Sequence, residues 1–371
     1  YWIFGAACGP AWQTAAGAII PSKVRAGYFA RRSRILHFAT LLSLLFQGVL
    51  MTQLTRLAPE SSHTPGTITF DPVLLIFAGL FLAACVFRLL SAHYLGKYSE
   101  PELSPQQESR VPPLEAARRL GRAPDGRYLL YMLCTLATVQ ISGPYFNPYM
   151  VEILRADQTP MFPHAPWLGP ALSWLLAGAI LGRIIALPTV GALARRFGPR
   201  RVLRAAGILL IPGPLFWLIS DNALWLLIWQ IVFGIIWAAF ELSTFLLNYV
   251  MLKPEERTSI LTLYAAANEV GKSSGSMVGA ALLGAAGEGR FAYAVVFWAS
   301  SAARLITLPL LSRVREPEWT LPKTTQVIDP GPPSGPSGEG STHEPLLADS
   351  TGDVTLIERR VASKRPSDVH R

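Results

Sequence analysis

Long, unbroken apolar runs dominate this chain, and the stretches between them gather its charges and turn formers. A helix needs about 20 residues to cross a hydrocarbon core. Nine runs reach that length, at roughly 1–20, 35–54, 72–92, 128–148, 168–191, 202–220, 223–252, 258–286 and 291–312. They are continuous, without the alternation of apolar and polar positions that marks the strands of a membrane barrel. The pattern therefore predicts an all-α integral membrane bundle of nine transmembrane helices. From residue 316 it stops: DPGPPSGPSGEGSTHEP offers too little apolar surface to fold, and 316–371 reads as a disordered cytoplasmic tail.

Composition supports the membrane reading. Hydrophobic residues make up 51% of the chain and charged ones only 15%, against about 25% charged in a typical soluble domain. The net charge of +9 does not call for a nucleic-acid partner, because Lys and Arg lie between apolar runs and not on one polar surface. They alternate from loop to loop. One set of loops holds Lys23, Arg25, Arg31, Arg32 and Arg34, then Lys97 to Arg127, then Arg195, Arg196, Arg200, Arg201 and Arg204, then Lys253 and Arg257; the other set holds Arg56, Arg155 and Arg290. Lys and Arg are retained on the cytoplasmic side, so the first set is cytoplasmic, the C-terminus is inside and Tyr1 lies outside. Cys8, Cys85 and Cys134 fall within apolar runs with no metal-binding spacing, and read as small buried hydrophobes.

The basic loop GALARRFGPRR, residues 191–201, resembles the signature Gly-x-x-x-Asp-Arg-x-Gly-x-Arg-Arg of the major facilitator superfamily. Gly191, Arg196, Gly198, Arg200 and Arg201 match it, and Arg195 stands in place of the acid. In that family the loop joins helices 2 and 3 and recurs between helices 8 and 9, where it helps lock one conformation. Two further loops echo each other: IIPSKVRAGYF and MLKPEERTSIL both place Arg shortly after Pro, six helices apart. The resemblance implies that the nine spans are family helices 4 to 12 of an expected twelve, that three helices precede Tyr1, and that the chain is bacterial. Residues 1–92 then complete an N-terminal six-helix half, 93–127 form the central cytoplasmic loop with VPPLEAARRLGR as a short surface helix, and 128–315 form the C-terminal half.

Polar side chains inside the spans carry the candidate chemistry, because intramembrane ionisable groups are costly and mark pathways or partners. Glu241 lies near mid-membrane and shares a helical face with Trp237, Thr244 and Asn248; the resemblance places that face on a cavity-lining helix. Gln140, Tyr145 and Asn147 occupy another such helix, with Pro144 and Pro148 placed to break its outer end. Arg183 is a candidate contact for an anionic substrate. Gln13 and Thr14 offer weaker candidates beside Trp12. Glu269 and Lys272 suit an ion pair at a spacing of three, and Gly271, Gly275 and Gly279 suit close helix packing. Arg88 and Arg304 read as lying near inner helix ends, without a function.

No HExxH, GxSxG or phosphate-binding loop occurs, and the six histidines lack ligand spacing. The expectation is therefore a non-enzyme that needs no cofactor or metal: a monomeric, multi-pass protein of the cytoplasmic (inner) membrane. It would move a small-molecule substrate by alternating access, with coupling to protons as the sharper form. A non-transporting assembly factor or receptor of the same fold, and a membrane-embedded enzyme, are the alternatives.

Overall fold

The structure is a computed structural model and describes residues 2–57, 72–97, 110–165 and 168–314; the side chains of residues 1–7, 49, 51–57 and 72–76 lie outside that description. Residues 316–371, expected as a tail, are outside it too, as are 98–109 of the expected central loop. The described residues form helices and turns, with one isolated bridge between Pro160 and Pro170. The elements in chain order are α1 (Trp2–Ile19), α2 (Ser22–Leu57), α3 (Pro72–Gly96), α4 (Pro113–Arg119), α5 (Pro124–Ser142), α6 (Phe146–Pro148), α7 (Ala171–Phe197), α8 (Pro199–Leu209), α9 (Ala223–Met251), α10 (Arg257–Ala286), α11 (Arg290–Leu305) and α12 (Leu308–Arg313).

Five segments are long and apolar enough to cross a membrane by length and composition: Phe77–Gly96, Pro124–Ile153, Ala171–Phe197, Ala223–Met251 and Arg290–Arg313. The expected count of nine is thus not reached on these criteria among the described residues. Two of the other four spans differ for visible reasons. The run 202–220 is not one helix: Pro212, Gly213 and Pro214 follow α8, and the chain resumes as a 3-10 turn at Leu215–Leu218, because proline supplies no N–H to continue the ladder. α10 carries Asn268, Glu269 and Lys272.

A second correction concerns the loop expected at 21–34. It is helix: α2 begins at Ser22, with Val24 and Arg25 donating back to the Pro21 carbonyl, so Arg31, Arg32 and Arg34 lie along a helix and not in a loop. The prolines of the fourth span act as expected. After Ser142 the helix tightens to a 3-10 turn at Gly143–Tyr145, then α6, and widens to a π turn at Tyr149–Ile153.

α7 packs along α9 and α2, α8 along α9, α5 along α10 and α11, and α1 against α10. Three apolar clusters fill the seams. Tyr128, Tyr131, Leu203 and Phe240 join α5, α8 and α9; Phe29, Leu187, Leu242 and Tyr249 join α2, α7 and α9; Tyr149, Trp217 and Phe297 close the far end. The outside is also apolar: Phe81, Met277, Phe291 and Ile306 are each more than 70% exposed. So wide an apolar exterior marks a surface that faces lipid and not water. It also corrects the reading of the cysteines, because Cys8 and Cys85 are exposed and Cys134 only half-buried. An apolar run in a membrane protein need not face inward.

The short surface helix expected in VPPLEAARRLGR is α4, tied to the start of α10. Val111 N donates to Ser259 Oγ at 3.1 Å, and Arg119 pairs with Glu256 at 2.7 Å and with Glu115. The bond from Arg119 holds the Glu256 carboxyl below its ordinary range, and these partners hold the guanidinium above its own.

Candidate functional site

α7 and α9 cross where both lack a side chain. A Cβ on Gly182 would stand 2.0 Å from the Ile231 carbonyl oxygen, and one on Gly234 2.1 Å from that of Ala179. This close approach lets Arg183, on α7, reach Glu241, on α9. Arg183 Nη1 donates to both carboxylate oxygens, at 2.8 and 3.0 Å. Glu241 stands about 15 Å from the α9 end at Met251 and Arg183 about 21 Å from the α7 end at Phe197, at 1.5 Å per residue. Both are mid-helix. Two candidates that the sequence offered separately are thus one ion pair, which offsets part of the cost of each charge.

Beside Glu241 lies a cavity of about 140 Å³, bordered by Phe29, Arg32, Ser33 and His37 of α2 and by Phe245. Arg32 stacks 4.1 Å over the Trp12 ring. The charge pattern assigned Arg32 to a cytoplasmic loop; starting α2 at Ser22 carries it, with Ser33, to the level of Glu241.

A larger cavity, about 570 Å³, opens between α5, α9, α10 and α11 and brings together two expected residues, Gln140 and Trp237. Phe146, Phe233, Lys272 and Arg304 also line it. Lys272 Nζ pairs with Glu269 at 2.6 Å, as the spacing predicted. Arg304 lies in the last turn of α11, near a helix end as expected, but its side chain turns inward: it is 2% exposed and donates to the Leu210 carbonyl at 2.6 Å and to Ser142 Oγ at 3.1 Å. Leu210 caps α8 just before the prolines; its carbonyl accepts only a long turn bond from Gly213 N, at 3.3 Å, and Arg304 adds the shorter one. The legible signal was WASSAARL, whose small residues leave room for a long side chain to turn inward.

The other candidates disperse. Asn248 accepts from Tyr128 Oη at 2.8 Å and reaches Gln13 Oε1 at 3.5 Å, joining α9 to α5 and α1. Thr244 bonds back to the Phe240 carbonyl, Thr14 meets Thr258, and Tyr145 Oη donates to the Ser276 carbonyl. Asn147 is exposed and lines neither cavity described here. Gly275 and Gly279 do admit a close neighbour, α5, whose Ala137 and Ile141 carbonyls would stand 2.1 and 2.2 Å from an added Cβ.

In the 191–201 loop, Gly198 has φ +83°, which permits the immediate turn from α7 into α8. Gly191 lies against Ala30 of α2, and Arg195 lies over Gly27 of the same helix. The two echoed arginines converge on one ring. Arg25 is 4.4 Å and Arg257 5.0 Å from the centre of Tyr249. Each also binds the last carbonyls of the helix before it: Arg25 those of Gly17 and Ile20, Arg257 those of Tyr249 and Leu252.

An all-helical bundle with an apolar exterior, a mid-helix ion pair and cavities bordered in part by charged side chains defines a multi-pass membrane protein. The family model of the Major Facilitator Superfamily matches residues 129–366, more than half of the chain, and the chain belongs to that superfamily. No curated protein and no solved structure matches it. Members of the superfamily are generally transporters and not enzymes, so the protein is in general terms a secondary transporter, with a lipid bilayer and a small-molecule substrate as its partners.

Proposed function

We propose that this protein moves a small solute by alternating access and that Glu241 carries the coupling proton. The observation that supports this reading is the Arg183–Glu241 pair in the middle of two apolar helices. An acid held by a cation in one state and released from it in another exchanges its proton as the two helices part. When protonated, Glu241 loses its grip on Arg183, and α7 is free to slide on α9. The reading places the protein in the cytoplasmic membrane as a monomer with its C-terminus inside, and has residues 1–92 and 128–315 belong to the two halves that rock about the 93–127 loop.

The test is solute-evoked proton movement in vesicles from cells expressing the protein, with sugars, amino acids, organic acids and amines as the solutes. One class should acidify the lumen. Glu241→Gln, which keeps size and hydrogen bonding but fixes the site neutral, should abolish uphill accumulation and spare exchange without a gradient. Uphill accumulation at the wild-type rate in this variant would remove Glu241 from the mechanism, and the absence of any evoked movement would remove coupling to protons.

A further inference from the structure

We infer that the cavity between α5, α9, α10 and α11 binds an organic anion with an aromatic or other flat apolar body. This deepens, and rests on, the reading of the protein as a transporter. Arg304 carries the argument. Its guanidinium is buried within an apolar segment, and among the described residues no carboxylate pairs with it. Two of its nitrogens are satisfied by neutral oxygens, and Nε has no partner among the described residues. A cation taken out of water at such a site needs an opposite charge, because neutral acceptors offset only part of its lost hydration.

The cavity can supply the place for that charge. No acid is among the residues that line it, and Lys272 adds a second cation. Its volume falls within the several-hundred-Å³ range of small-molecule sites. Phe146, Phe233 and Trp237 give it apolar walls, and Phe233 meets Trp237 edge to face with ring centres 6.2 Å apart. Gln140 adds an amide for a neutral polar group. A carboxylate or sulfonate would sit between Lys272 and Arg304, with its body against the rings. Glu269 holds Lys272 at 2.6 Å and would compete with the ligand for it.

The experiment is calorimetric titration of the full chain in phosphatidylcholine nanodiscs with benzoate, phenylacetate and benzenesulfonate, each set against its neutral amide. At least one anion should bind at least tenfold more tightly than its amide. Lys272→Gln should weaken it at least tenfold, Trp237→Leu should weaken anion and amide alike, and Glu269→Gln should tighten the anion by freeing Lys272. Arg304→Gln should abolish binding; because that residue also holds the Leu210 carbonyl, the variants at half-buried Lys272 and exposed Glu269 decide the matter if it does not fold. Anions that bind no better than their amides, or binding unchanged by Lys272→Gln, would overturn the inference. Anion binding without flux across vesicles would sink the transporter reading and leave the site standing. Uphill flux of a neutral or cationic solute without anion binding would do the reverse.

Discussion

At the scale of single residues, the Arg183–Glu241 pair and the lone Arg304 pose opposite electrostatic problems. Each member of the pair compensates the other, so removing one leaves an uncompensated charge, whereas removing both leaves none. Arg183→Gln should therefore lower thermal stability more than the Arg183→Gln/Glu241→Gln double variant does. The difference should be about 1–2 kcal/mol, below the 3–5 kcal/mol of a fully buried pair, because the two side chains remain 24% and 44% exposed. Thermal unfolding of the single and double variants in one detergent measures this. Equal losses would mean that the contact carries no coupling energy. The sequence showed two charges in apolar runs; that they answer each other was legible only from the α7–α9 crossing, since 58 residues separate them.

At the scale of elements, close helix approach decides which polar residues meet. Gly182 and Gly234 allow the contact of α7 with α9, and any added carbon must push a backbone carbonyl away. Gly182→Ala should cost about 1–3 kcal/mol of stability, as overpacking of a tight interior does. Gly284→Ala, on α10 with nothing within 4 Å of the new carbon, should be neutral or stabilising through reduced freedom of the unfolded chain. Thermal unfolding of the two variants side by side tests the comparison, and equal effects would show that the crossing tolerates separation. The echoed arginines belong at this scale as well. Arg25 and Arg257 each follow a helix end and bind its free carbonyls, a physical reason for the same short pattern to occur twice.

At the scale of the whole molecule, the proposed orientation rests on the alternation of basic loops. Gln158 precedes α7, a helix of 27 residues, and Ala192 lies near its other end beside Arg195 and Arg196. Lys and Arg resist translocation, so in a background without native cysteines a cysteine at Ala192 should react with a membrane-impermeant maleimide only from the cytoplasm. One at Gln158 should react only from outside. Both residues are exposed, and labelling of both from one side would reverse or break the proposed topology.

Continuous apolar runs were enough to determine an all-helical membrane fold, because a backbone in hydrocarbon must satisfy its own hydrogen bonds and a helix does so within one segment. Local chemistry was enough for the Pro-broken end of α5, the surface helix α4, the turn at Gly198 and the Glu269–Lys272 pair, all of which act across a few neighbouring residues. Tertiary structure alone decided that α2 carries Arg32 and His37 to the level of Glu241, that Asn248 joins Tyr128 and not Glu241's cavity, and that Arg304 turns inward to Leu210. Periodicity tells which residues share a face of one helix. It does not tell which helix that face meets, because apolar faces look alike whether they touch lipid or protein, and only packing separates the two.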